Sequence, residues 1–247
     1  KVMSNQTQRR NELLRIINNK GMISVKKLAS MLGVSEMTIR RDLSHLQQPT
    51  DDLRQTDDEY NLISAAKKRN EQKERIGCFA ASMIAPDDII IIDSGSTTAK
   101  IPHHIPDTIH LSVICYNGNL FFELRHKPNI NLYVCGGYYH ENTEMLESLE
   151  SIGFIETKRA NKVFLSAAGV HRTLGITCEN AYEVPTKNAA LKSSSEKILL
   201  TDSSKFGQVR ASYVCPLNNF DAIVTDSNLS QEWQDFIAQQ GIRLHLV

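Results

Sequence analysis

The sequence predicts an α/β protein in two unequal parts: a small amino-terminal helix-turn-helix and a larger carboxy-terminal domain built on a largely parallel sheet. Three observations carry that expectation. Short apolar runs at residues 89–92, 111–115, 132–135, 163–167, 198–201, 222–225 and 243–247 alternate, for the most part, with helix-compatible segments. That is the pattern of strands joined by crossover helices. Residues 24–46 carry two helical periodicities broken by Gly33, and charge is unevenly placed along a chain that is neutral overall. Residues 1–50 hold nine Lys/Arg against three Asp/Glu, whereas the remainder is acidic, as in a nucleic-acid-binding head joined to a sensing or assembly body.

Composition sets outer limits. At 247 residues, with 41% hydrophobic and 23% charged residues, the chain can bury an ordinary globular core. The five cysteines are dispersed, odd in number and lack any C-x-x-C pair; they are expected as buried thiols in a reducing cytoplasm rather than as a disulfide framework. His103–His104 is the only histidine pair, and adjacent residues do not share one face of a helix or strand, so no metal or other cofactor is expected. No run approaches the roughly 20 apolar residues of a membrane span, and no signal peptide is discernible, so the expected location is the cytoplasm.

In chain order, residues 8–20 form the first expected helix, with Leu13, Leu14 and Ile17 on one face and Gly21 as its carboxy-terminal cap. Val25, Leu28, Ala29 and Leu32 then follow the i, i+3, i+4, i+7 rhythm. Gly33 makes the turn, and Ser35 is placed to cap a second helix whose Ile39, Leu43 and Leu46 face inward. Met37, Arg41 and Ser44 point the other way, with Thr38 and Arg40 on the flanks. This is a helix-turn-helix whose second helix enters the major groove. Thr38, Arg40 and Arg41 would lie nearest the bases, and Lys26 and Lys27 would contact phosphate without reading sequence. An ordinary helical hairpin with a solvated arginine pair is the competing reading.

The run Ser35-Glu36-Met37-Thr38-Ile39-Arg40-Arg41-Asp42-Leu43, after Gly33, resembles the recognition helix of the DeoR family of bacterial transcriptional regulators. The family resemblance implies a winged motif, with a β-hairpin following the second helix. Residues 47–59 (QQPTDDLRQTDDE) contain no glycine and no alternating strand, so a wing is in doubt and a linker is expected. The expected division is a helix-turn-helix domain over residues 1–50, a linker and connecting helix over 51–75, and an α/β effector-binding and oligomerisation domain over 76–247. In the helical stretch 60–84, the basic cluster Lys67, Lys68, Arg69, Lys73 and Arg75 could lie near DNA, but a solvated face laced by ion pairs is at least as good a reading, and it receives no specific role.

Beyond Pro86, the four isoleucines of residues 89–92 suit a strand buried on both faces. They lead into Asp93-Ser94-Gly95-Ser96-Thr97-Thr98, where backbone N–H groups, hydroxyls and a following helix amino terminus could cradle a phosphate. The spacing is neither a Walker loop nor a dinucleotide fingerprint. Ligands of open α/β sheets sit beyond the carboxyl ends of strands. Asn117, Gly136, Gly137, Gly169, Asp202 and Lys205 follow other strands and join the candidate site. A loop ion pair with Asp202 is the competing role for Lys205, and a plain turn the competing role for Gly136–Gly137.

Asp93–Thr98, Tyr116–Asn117, Gly136–Gly137 and Asp202–Gly207 also resemble the motifs of the DeoR family's carboxy-terminal domain. That resemblance implies a fold like ribose-5-phosphate isomerase and a phosphorylated sugar as effector. The segments ICYNGNLF, CGGYYH, SAAGVHRTLGITCEN and DSSKFGQVR are most similar to regulators of deoxyribonucleoside operons, which makes deoxyribose 5-phosphate the expected effector. The expected protein is a homo-oligomeric repressor released from operator DNA by that ligand. The alternative is a sugar-phosphate isomerase-like enzyme with a DNA-binding head, for which Asp93, Glu179, Glu183 and Asp202 are the available carboxylates.

Overall fold

The computed structural model describes residues 25–35, 38 and 61–247. The chain divides into two compact units, Lys1–Asp58 and Glu59–Val247. In the first, helix α1 spans Val25–Leu32 and buries Ala29. Gly33 follows with φ +64°, a left-handed conformation that costs glycine nothing. Val34 N–H returns to the Ala29 carbonyl at 3.1 Å. The Ser35 hydroxyl accepts from the Thr38 N–H at 3.1 Å, which is the helix cap expected of it. The expected helix over 8–20, the possible wing over 47–59, and Met37, Arg40, Arg41 and Ser44 lie outside the described residues.

The second unit opens with two helices, α2 (Leu62–Lys67) and α3 (Asn70–Ser82). Asn61 caps α2 by accepting from the N–H groups of Ile63 and Ser64. Arg69, in the left-handed region at φ 54°, breaks the run between the two helices.

Seven parallel strands form the core sheet: β1 (Ile89–Ile92), β2 (Leu111–Cys115), β3 (Ile130–Val134), β6 (Ala160–Ser166), β9 (Ser194–Leu200), β11 (Ala222–Thr225) and β12 (Arg243–Leu246). Their order is β12-β11-β9-β6-β1-β2-β3. Each of the seven apolar runs in the sequence is one of these strands.

Alternation along the strands divides the core between the two faces. Ile90, Ile92, Val113, Phe164, Ile198 and Val224 pack under α3 (Ile76, Ala80), α4 (Ile101–His104) and α5 (Gly118–Leu124). Ile91, Ile114, Val163, Leu165, Leu199 and Ile223 face α6 (Leu149–Glu156), α7 (Glu183–Lys192) and α8 (Gln231–Gln239). At roughly 25 cal/mol per Å² of buried apolar surface, these two layers are the main source of stability. Two small antiparallel sheets complete the unit: β4 (Tyr138–His140) with β5 (Met145–Glu147), and β7 (Gly169–His171) with β8 (Gly175–Cys178) and β10 (Ser212–Cys215).

Chain direction reverses at the middle of the large sheet. From β1 the chain winds outward through β2 to β3, then returns to lay β6 on the other side of β1 and winds outward through β9 and β11 to β12. The carboxyl ends of β1 and β6 therefore diverge into different loops and leave a crevice, where ligands of open α/β sheets bind.

All five cysteines are free, and Cys115, Cys135, Cys178 and Cys215 are buried, with burial pushing their thiols up to about 12, 11, 12 and 11. Cys78 is exposed, which corrects the expectation that all five are buried. No described helix is long and apolar enough to cross a membrane.

Candidate functional site

The crevice at the ends of β1 and β6 holds a narrow cleft with a cavity volume of about 40 Å³. Ser94, Gly95, Ser96 and Thr97 form one wall; Ser166, Ala167 and Ala168 form another. Asp202 and Lys205 come from the loop after β9, and Leu62, Ala65 and Lys73 from α2 and α3. Gly95 packs so closely on Ser166 and Thr98 that an added Cβ would collide with the Ser166 side chain.

Beneath the cleft lies a fully buried charged network. The Asp93 carboxylate accepts from Tyr116 Oη at 2.6 Å, Ser166 N–H at 2.8 Å, Ser166 Oγ at 2.8 Å and Lys187 Nζ at 2.5 Å. Glu183 Oε2 stands 3.6 Å from the same ammonium, one helical turn away on α7. Burial alone would lower the Lys187 pKa, but the Asp93 and Glu183 carboxylates outweigh it and hold the side chain charged above its ordinary range. Burial, and then the Asp93 charge, raises the Tyr116 hydroxyl well above its ordinary value. Four donors on one carboxylate tie β1, the loop after β2, β6 and α7 into one rigid floor. Asp93 thus supports the cleft from below and is engaged on every side. Thr98 does similar work, donating from Oγ1 to the carbonyls of Asp93 at 2.7 Å and Gly95 at 3.0 Å.

The polar surface facing the cleft is less satisfied. Ser94 is 4% exposed, and its hydroxyl has no hydrogen-bond partner, an arrangement that costs free energy unless a ligand or water completes it. Lys205 has no carboxylate within ion-pair distance among the described residues. Asp202, its expected partner, instead caps the Ser203–Lys205 turn by accepting from Ser204 N–H at 3.1 Å and lies 3.7 Å from Arg69. The segment after Thr97 is one 3-10 turn followed by the four-residue α4, too short for the helix amino terminus expected there to contribute much field. Hydroxyls and lysine are the groups of the cleft able to donate to an anion.

Of the residues expected from sequence, the fold brings Ser94, Gly95, Ser96, Thr97, Asp202 and Lys205 to the cleft wall, with Asp93 and Thr98 directly behind. Asn117 is buried at the end of β2; its amide nitrogen donates to Asn119 and its Oδ1 is unpaired, but it does not line the cleft. Gly136 and Gly137 lie elsewhere as well. The Gly136 carbonyl accepts from Ser148 and Ser151 hydroxyls, and Gly137, at φ +146°, passes against the Glu147 carbonyl. Gly169 begins β7 and packs on Thr177 and Gln208. Lys26 and Lys27 belong to α1, and Ser35 spends its hydroxyl on the helix cap.

Sequence reading missed Lys187 and Lys73. Lys187 left one signal, a lysine four residues after Glu183 in an otherwise small-residue helix. Lys73 left a misleading one, because it sits in a basic cluster that reads as solvated, yet it is 3% exposed. Of the four carboxylates available to an isomerase, Glu179, Glu183 and Asp202 line the cleft and Asp93 lies behind it; Glu179 pairs with Arg210 at 2.8 Å, and Glu183 accepts from the Asn180 N–H and amide at 3.1 and 3.0 Å.

Comparison with known proteins completes the assignment. Residues 9–54 match the DeoR-like helix-turn-helix domain, and residues 68–227 match the DeoR C terminal sensor domain. The deoxyribose operon repressor of Escherichia coli is 33% identical over 96% of this chain and 97% of its own length. The regulator GolR of Listeria innocua is 28% identical over 91% of this chain and 92% of its own. Among solved structures, ribose 5-phosphate isomerase A of Methanocaldococcus jannaschii aligns with 56% of this chain and 54% of its own, at 14% identity and a TM-score of 0.42. The chain belongs to the DeoR family: it is a helix-turn-helix transcriptional repressor with a carboxy-terminal sensor domain.

Proposed function

We propose that this repressor is released from its operator by deoxyribose 5-phosphate bound in the cleft between the ends of β1 and β6. The observation that carries the reading is the buried, unpartnered Ser94 hydroxyl, set in the Ser94–Thr97 wall and accompanied across the same cleft by Lys205. A phosphate accepts from hydroxyls and backbone N–H groups and pairs with an ammonium, so it supplies what these groups lack. The choice of pentose rests on the E. coli relative, whose name refers to a deoxyribose operon. The reading extends to a homo-oligomer whose helix-turn-helix units bind repeated half-sites through Thr38, Arg40 and Arg41, with Lys26 and Lys27 on phosphate.

Thermal-shift screening against phosphorylated pentoses and hexoses tests the ligand. A ligand at about 100 times its Kd stabilises the native state by roughly 2.7 kcal/mol. Deoxyribose 5-phosphate is expected to raise the Tm, and unphosphorylated deoxyribose to leave it unchanged. Equal shifts from the two sugars would contradict a phosphate-centred site.

A further inference from the structure

Lys73 is a buried lysine, 3% exposed, that ties α3 to α2. It comes from the first turn of α3 and reaches into the cleft, where its Nζ donates to the main-chain carbonyl of Ala65 near the end of α2. That carbonyl is a neutral acceptor. Burial, the largest influence, lowers the lysine's pKa, whereas the Asp202 carboxylate raises it; Lys205, Lys100 and Arg69 add positive charge around it, and burial together with those cations brings the pKa down to about 8. Lys100 is itself paired with Glu74 at 3.1 Å. The lysine shares the cleft lining with Lys187 and Lys205 and with the carboxylates of Glu179, Glu183 and Asp202, but its own hydrogen bond goes to a neutral carbonyl.

Helix α2 is held at its amino end by the buried Leu62, whose N–H donates to the Asn142 carbonyl at 2.8 Å, and near its carboxyl end by Lys73. It is six residues long, and Leu62 and Ala65 form part of the cleft wall. Along its other side runs an open, mostly apolar groove lined by Ile63, Ala66 and Ala99. In sequence, the first residue of α2, Leu62, is four residues after the boundary at Asp58.

Building on the sugar-phosphate reading of this cleft, we propose that Lys73 is a ligand-binding residue which exchanges the Ala65 carbonyl for the anionic group of the effector, and in doing so frees helix α2. An anion is a much stronger partner for a desolvated ammonium than a peptide carbonyl, and so can displace it. A ligand can bias α2 only through contacts that differ between its two arrangements, and the Lys73–Ala65 tie is such a contact.

Hydrogen exchange of the full-length protein, read by mass spectrometry over residues 61–69, tests this with and without saturating deoxyribose 5-phosphate. In the native sequence the ligand is expected to speed exchange across α2 by about tenfold or more, roughly the loss of one charge-assisted hydrogen bond. Lys73→Gln, lacking the tie, is expected to exchange fast already, to gain little from ligand, and to bind deoxyribose 5-phosphate at least tenfold more weakly. Binding of the native protein would also weaken as pH rises from 7 to 9, and this dependence would disappear in Lys73→Gln. Tight binding with unchanged or slower exchange over α2 in the native protein would overturn the role of Lys73 while leaving the site intact. Failure of the native protein to bind any phosphorylated sugar would instead remove the site, and this inference with it.

Discussion

At the scale of single residues, the sensor unit separates two kinds of charge. Asp93 and Lys187 are fully buried and pair with each other, with Tyr116 and Ser166 filling the remaining valences. Removing Lys187 leaves the Asp93 carboxylate without its cation in a low-dielectric site, and removing Asp93 leaves Lys187 only the more distant Glu183 carboxylate at 3.6 Å. Asp93→Asn or Lys187→Met is therefore expected to cost roughly 3–5 kcal/mol, read as a fall of about 2–4 °C in Tm per kcal/mol. A Tm within 2 °C of the parent would show the network to be dispensable. Lys73 behaves in the opposite sense. Its pKa falls from 10.5 to about 8 on folding, so the unfolded chain binds more protons between those values, and this group's contribution to stability improves as pH rises through that window. An anionic ligand requires the protonated form, so effector affinity should fall over the same window. Calorimetry in buffers of different ionisation enthalpy at pH 8 should report net proton uptake on binding; proton release would contradict the assignment of Lys73 to the site.

At the scale of elements, the loops at the strand ends differ in what they do, although they look alike in sequence. Gly136–Gly137 turns the chain against the β4–β5 hairpin, where a Cβ on Gly137 would strike the Glu147 carbonyl. Gly137→Ala is expected to lower Tm while leaving effector affinity within about twofold; Gly95→Ala, whose Cβ would strike Ser166 in the cleft wall, should reduce affinity far more than its effect on Tm. The reverse pattern would mean the cleft has been assigned to the wrong loops. The seven core strands were legible because a strand buried on both faces must be apolar throughout, and runs such as Ile89–Ile92 have few other uses. The small antiparallel strands escaped because three or four residues, including the glycines of β7 and β8, carry too little alternation to read. The cleft was half legible. Ser94–Thr97 and Lys205 follow strands in obvious polar loops, whereas Lys73 and Lys187 sit on helices and arrive only through packing of helix on sheet. No local pattern encodes that arrival.

At the scale of the whole chain, a basic amino-terminal segment precedes an acidic remainder, and the proposed reading places recognition of DNA in the first and of metabolite in the second. Arg41→Ala is expected to remove specific operator binding, since one bidentate arginine–guanine pair is worth about 1–3 kcal/mol per subunit, while effector affinity stays unchanged; parallel loss of both would argue against separable surfaces. Thermodynamic linkage also demands that operator DNA weaken effector binding by the same factor by which effector weakens operator binding. The most direct test is a gel-shift titration of the operator complex with deoxyribose 5-phosphate, comparing the native chain with Lys205→Ala. Release of the native protein, with Lys205→Ala bound to operator equally tightly but needing at least tenfold more ligand for release, is the predicted result. Release of both at the same ligand concentration, or of neither, would contradict it.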